Sequence, residues 1–207
     1  MAGVTVCDHP LLARCVTSLR DEATPSPQFR EGLRRSALLL AAEATRGLPI
    51  RRVPVRTPLE TAEGAQLEGG VLLVVVLRAG LGLLDGFREL VPDARVGFIG
   101  LKRDEATLEA VNYHASLPDE LGGLEVFLLD PMLATGGSAV AALDLLAARR
   151  PRSLRLVSLV AAPEGVSRVH AAHPGVPILC GALDRELNEK GYILPGLGDA
   201  GDRMFGV

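Results

Sequence analysis

The sequence predicts an α/β fold: a doubly wound, mostly parallel sheet flanked by helices. Two observations carry this. Five apolar runs read as buried strands: Val71–Leu77, Arg95–Leu101, Leu124–Leu129, Leu154–Ala161 and Pro177–Leu183. Helix-patterned stretches at Gly82–Leu90, Gly137–Arg149 and Pro163–Ala172 lie among them. Apolar strands without polar alternation are covered on both faces, and strands joined by helices run parallel through right-handed crossovers.

In chain order, His9-Pro10-Leu11-Leu12 opens an N-terminal segment with a helical pattern after the proline, and Pro25 and Pro27 punctuate the chain beyond it. Phe29 to Thr45 reads as an amphipathic helix, with Phe29, Leu33, Ala37, Leu40, Ala41 and Ala44 on one face and Arg30, Glu31, Arg34 and Arg35 off it. Gly47 and Pro49 end it. Ile50–Leu59 and Thr61–Leu67 are short, alternating and bounded by Pro and Gly, which predicts an antiparallel hairpin or flap. The strand and helix alternation then begins. One domain over residues 1–207 is expected, with an N-terminal arm (1–70), a parallel-sheet core (71–183) and a C-terminal segment (184–207).

Composition narrows the classes. The chain has 207 residues, enough for a sizeable core, and is 48% hydrophobic but only 3% aromatic, so that core is aliphatic. A net charge of −3 implies no nucleic-acid or membrane partner. The longest apolar run is far too short to span a bilayer, and no signal peptide is visible. Cys7, Cys15 and Cys180 lack metal-site spacing and read as reduced thiols, which places the protein in the cytoplasm.

Ligands of doubly wound sheets bind beyond the C-terminal strand ends. Three groups fall there. After Leu129 comes Asp130, then the small-residue turn Ala134-Thr135-Gly136-Gly137-Ser138 and at once a helix. Backbone N–H groups at a helix start and the hydroxyls of Thr135 and Ser138 make a phosphate cradle; the alternative is a plain βα turn with Ser138 near an N-cap. The turn lacks both the Gly-Lys-Ser/Thr of a Walker loop and the three-glycine dinucleotide fingerprint. The second group, Leu77-Arg78-Ala79-Gly80-Leu81-Gly82, offers an Arg fork matched to phosphate oxygens; the alternative is a solvated turn arginine. The third, Lys102-Arg103, opens a polar stretch to about Leu117 with no clear core face, read as a lid or as an ordinary charged loop. Two phosphate-type sites around one acid suggest a ligand with phosphates at both ends of a sugar. The glycine-dense tail from Gly191 to Arg203 offers main-chain groups suited to the edge of a small planar ring.

Over essentially its whole length the chain resembles uracil phosphoribosyltransferases of the type I phosphoribosyltransferase family. The resemblance rests on His9-Pro10-Leu11, on Leu77 to Gly82, on Asp130-Pro131-Met132-Leu133-Ala134-Thr135-Gly136-Gly137-Ser138, on Val160-Ala161-Ala162-Pro163-Glu164-Gly165 and on Gly191-Tyr192 through Gly206. Type I members generally carry two adjacent acids before the Thr-Gly turn; here the second position is Pro131, as in the uracil branch. The resemblance implies conversion of uracil and 5-phospho-α-D-ribose 1-diphosphate (PRPP) to UMP and diphosphate, a pyrimidine salvage reaction, with Mg²⁺ held mainly by PRPP and water. It implies PRPP binding by Arg78, Arg103, Asp130 to Ser138 and Asp199. Within that set Ala134 to Ser138 hold the 5′-phosphate, Asp130 the ribose hydroxyls, and Arg78 and Arg103 the diphosphate. Ile193, Gly198, Asp199 and Ala200 read uracil, and Arg78, Asp130 and Asp199 form the catalytic set. It further implies a homodimer or homotetramer, GTP as an activator in several members, and a C-terminal hood over the base. Competing expectations are transfer to another base, against which Asp130-Pro131 and the C-terminal loop argue, and a ligand-sensing RNA regulator, which a basic face would support.

Overall fold

The structure is a computed structural model and describes residues 3–103 and 110–207. The elements run β1 (Val4–Val6), α1 (Pro10–Arg20), α2 (Ser26–Ala44), β2 (Ile50–Arg56), β3 (Thr61–Leu67), β4 (Gly70–Leu77), α3 (Leu81–Leu90), β5 (Arg95–Arg103), β6 (Ala110–Ser116), β7 (Leu124–Leu129), β8 (Met132–Leu133), α4 (Gly137–Ala147), β9 (Ser153–Ala161), α5 (Pro163–Ala172), β10 (Ile178–Leu183), β11 (Glu186–Leu187), β12 (Ile193–Leu194) and α6 (Ala200–Phe205).

The main sheet has the order β1-β10-β9-β7-β4-β5-β6, with β8 paired to β9. Its pairings are parallel except β5–β6, which is antiparallel with a bulge at Gly100/Leu101. The unbroken apolar run of β4 behaves as its composition demands. Val71, Leu73 and Val75 enter one core cluster with α1, α2, α3 and α6, while Leu72, Val74 and Val76 enter a second with α4 and α5. Period-2 alternation thus sends successive residues to opposite, fully covered faces. From β4 the chain steps outward to β5 on one side; from β7, on the other side of β4, it continues to β9 and β10. The switch point is therefore the crevice beyond the C-terminal ends of β4 and β7, where such folds bind ligands.

Several elements had no clear signal in the sequence: the two-residue strands β8, β11 and β12, the short helix α6, and β1 and β6. β1 is three residues long and held by its ladder to β10, too short for periodicity to register. The expected lid from Lys102 to about Leu117 is corrected in part: Ala110–Ser116 form the antiparallel edge strand β6. Residues 104–109 lie outside the described residues. β2 and β3 form the predicted hairpin, and both strands are exposed along nearly their whole length. Among the described residues no helix is long and apolar enough to cross a membrane.

Candidate functional site

A cavity of about 300 Å³ opens at the switch point, lined by Arg78 and Ala79 after β4, Asp130 after β7, Met132 to Ala139 at the entry to α4, and Asp199 and Gly201 at the start of α6. Three sequence-distant segments meet there: two leave the main sheet at the ends of β4 and β7, and the third runs from β12, which pairs with β11 outside that sheet, into α6. A larger groove of about 720 Å³ runs between α1 and α2, but its walls are mainly apolar and it lies outside the switch point.

The turn into α4 is built by two glycines on different elements. Gly136 sits at the helix N-cap with φ +77°, in the left-handed region, and no side chain caps the helix. Its first N–H groups therefore lack a side-chain acceptor in a wall of the cavity, an arrangement whose helix dipole favours negative charge. Behind the turn stands Gly165 on α5, so close that a methyl group there would lie 2.3 Å from the Ala134 carbonyl oxygen. Gly165 thus sets how deeply the turn seats.

Asp130 is half-buried, and its Oδ1 accepts a long hydrogen bond of 3.3 Å from the Met132 N–H. Burial pushes its carboxyl up to about 6, only partly offset by that bond. Such a carboxylate is poorly solvated before a ligand arrives, and donors from that ligand compensate it.

Arg78 is exposed, with a cis peptide between Leu77 and Arg78. It rests 3.4 Å from Asp202 Oδ1 and 5.7 Å from the centre of the Phe205 ring, both on α6. An exposed pair at that distance is weak, so the guanidinium is available to a phosphate. Asp199 caps α6, its Oδ1 accepting from the Asp202 N–H at 2.9 Å.

Of the residues expected from the sequence, Arg78, Asp130, Met132, Leu133, Ala134, Thr135, Gly136, Gly137, Ser138 and Asp199 converge on the one cavity. Pro131 does not line it. Its carbonyl accepts from Leu159 and Val160 N–H, so it belongs to the sheet. Ile193, Gly198 and Ala200 also lie off its wall. The side chains of Ile193 and Ala200 are buried, leaving only main-chain groups for recognition. Arg103 closes β5, and its side chain lies outside the described residues. Sequence reasoning missed Arg168, whose guanidinium stands 3.5 Å from where a Cβ on Gly137 would be. Its spacing of three residues from Gly165 on α5 places both on one helical face toward the turn, and that spacing was the available signal. Asp144 and His173 pair at 2.9 Å between α4 and the end of α5, so His173 is a linking residue.

A family profile described as Uracil phosphoribosyltransferase matches residues 6–207. A protein of that name from Paracoccus denitrificans is 54% identical over 207 residues, covering 100% of this chain and 98% of its own. One from Mesorhizobium japonicum is 52% identical over 208 residues, with both chains covered in full. Among solved structures, the AQ2163 protein from Aquifex aeolicus is 39% identical with a TM-score of 0.93, covering 99% of this chain and 98% of that one. A hypoxanthine phosphoribosyltransferase from Trypanosoma cruzi, at 17% identity and TM-score 0.52 over 76% of this chain and 75% of that one, shares the fold.

Proposed function

The chain belongs to the uracil phosphoribosyltransferase family and converts uracil and PRPP to UMP and diphosphate, and from that premise we propose how its own residues divide the work. The observation that carries the division is the meeting of Arg78, Asp130 and the uncapped start of α4 in one cavity.

The N–H groups at the start of α4, with the Thr135 and Ser138 hydroxyls, take the 5′-phosphate. Asp130 accepts hydrogen bonds from the ribose hydroxyls, donors that its desolvated carboxylate otherwise lacks. Arg78 exchanges its loose contact with Asp202 for the leaving diphosphate, where charge accumulates as the anomeric bond breaks. Arg103 is assigned to the same charge from family resemblance. Main-chain groups of Ile193, Gly198 and Ala200 read the uracil edge and aim N1 at the anomeric carbon, with Asp199 between base and sugar.

Asp130 and Asp199 are the acidic side chains lining the cavity, and among the described residues no group of three or more His, Cys, Asp or Glu is placed to hold a metal. A sparse carboxylate set fits Mg²⁺, which keeps several waters and favours substrate phosphates over a protein cage. When bound, the ion neutralises charge on the diphosphate.

The assembly is a homodimer or homotetramer in this reading, supported by the exposed hairpin. Ile50, Val55 and Leu67 are each about half exposed and Leu59 is 96% exposed. A lone two-stranded hairpin is marginal in water, and a second copy of the chain covers it. The three cysteines are free, as suits the cytoplasm. The deciding experiment measures diphosphate release from PRPP and Mg²⁺ with uracil, cytosine, orotate, hypoxanthine or adenine, each with and without GTP. Release with uracil alone supports the assignment, and release with a purine base overturns it. A rise in the GTP arm establishes activation.

A further inference from the structure

We propose that Arg20 and Asp184 are positioning residues for uracil: a buried ion pair that orients the base-reading segment without touching substrate. This rests on the reading that residues 193–200 recognise uracil. Between the end of β12 at Leu194 and the start of α6 at Ala200, the segment belongs to no ladder or helix. Side chains must therefore set its orientation.

Gly196, near its middle, is held through both main-chain groups. Its N–H donates to Asp184 Oδ2 at 2.9 Å, and its carbonyl accepts from Arg20 Nη1 at 2.9 Å. The two side chains are themselves joined twice, Nη1 to Oδ2 at 2.9 Å and Nη2 to Oδ1 at 2.5 Å. Asp184 immediately follows β10 and its side chain is only 4% exposed; Arg20 is the last residue of α1 and its side chain is 25% exposed. Next in the chain, the Leu197 carbonyl accepts from Arg203 Nη1 at 2.8 Å. Arg203 also donates to the main chain of Leu19 and Asp21 and stacks over Phe29 at 4.4 Å. Two consecutive carbonyls of the segment are thus tied to the end of α1.

Burying an ion pair is rarely a net gain in stability, because desolvation offsets the attraction. A bidentate pair with both charges satisfied does, however, impose geometry. Recognition by main-chain groups needs that geometry, since a displacement of about 1 Å is enough to lose a hundredfold in rate.

The test uses the full chain. Arg20→Lys keeps the charge opposite Asp184 and removes the fork. Asp184→Asn keeps an oxygen for the Gly196 N–H and removes the paired charge. Both are expected to raise the uracil KM about tenfold while the PRPP KM stays within twofold. The proposal is overturned if both variants leave the uracil KM within twofold, or if the two KM values rise together as the folded fraction falls. Hydrogen exchange of the parent chain with and without UMP separates the two layers. Protection of the amides of 196–200 by UMP supports the underlying reading. Absence of that protection overturns the reading, and the pair's role with it. Protection together with unchanged kinetics in both variants overturns the pair's role alone.

Discussion

Replacing Asp130 with Asn is expected to stabilise the unliganded chain at alkaline pH while removing most of its activity. The carboxyl stands at about 6 in the folded chain against 3.8 for the unperturbed group. The folded state therefore binds this proton more tightly than the unfolded one, and ionised Asp130 opposes folding. The cost is absent well below pH 3.8, grows as pH rises between the two values, and is complete above about 6. Two units correspond to about 3 kcal/mol at pH 8 and roughly half of that at pH 5. Asn retains an oxygen for the Met132 N–H, so its own burial cost is the same at both pH values. The informative quantity is thus the change between them, about 1–2 kcal/mol, or about 2–8 °C in Tm for a chain of this size. Thermal melts of parent and variant without PRPP, at pH 5 and pH 8, measure it. A stability difference that stays flat between those pH values refutes the desolvated carboxylate. In the same variant the ribose loses a charged acceptor, with an expected fall in kcat/KM of about ten- to a hundredfold. Full activity refutes the ribose role.

Gly165→Ala should push the Ala134 carbonyl outward and raise the PRPP KM, with about 1–3 kcal/mol lost in denaturant melts; unchanged PRPP kinetics refute its spacing role. Arg78→Ala should lower kcat/KM by about a hundredfold and weaken inhibition by added diphosphate, whereas inhibition at parental strength places the diphosphate elsewhere. Val55→Asp on the exposed hairpin should reduce the mass seen in sedimentation, and an unchanged assembly shows that the hairpin is not the contact. Burial pushes the Cys180 thiol up to about 12, so at pH 8 it should resist thiol reagents in the native chain and react only on unfolding.

Much of the fold was legible because its signals are local. Ile50 to Leu67 is short, alternating and turns at Pro58, Val71 to Leu77 is apolar at every position, and α5 begins at Pro163 and ends at Ala172 as its pattern predicted. The strand–turn–helix that lines the cavity was legible for the same reason, since a strand end, an acid, two glycines and a helix lie within a dozen residues. β6 was not, because Ala110–Ser116 mixes polar and apolar residues and takes its place as an edge strand from pairing with β5 and packing near α4.

By itself the sequence determined the parallel sheet, the hairpin, the glycine turn into α4 and the family, because periodicity, turn chemistry and motif spacing are properties of neighbouring residues. Only the tertiary structure decided what distant residues do to one another. It put Gly165 against Ala134, desolvated Asp130, turned Pro131 into the sheet and drew Arg20, Asp184 and Gly196 together across 176 positions of chain. Each of these depends on packing between segments, and no local pattern of residues encodes which carbonyl a buried arginine will meet.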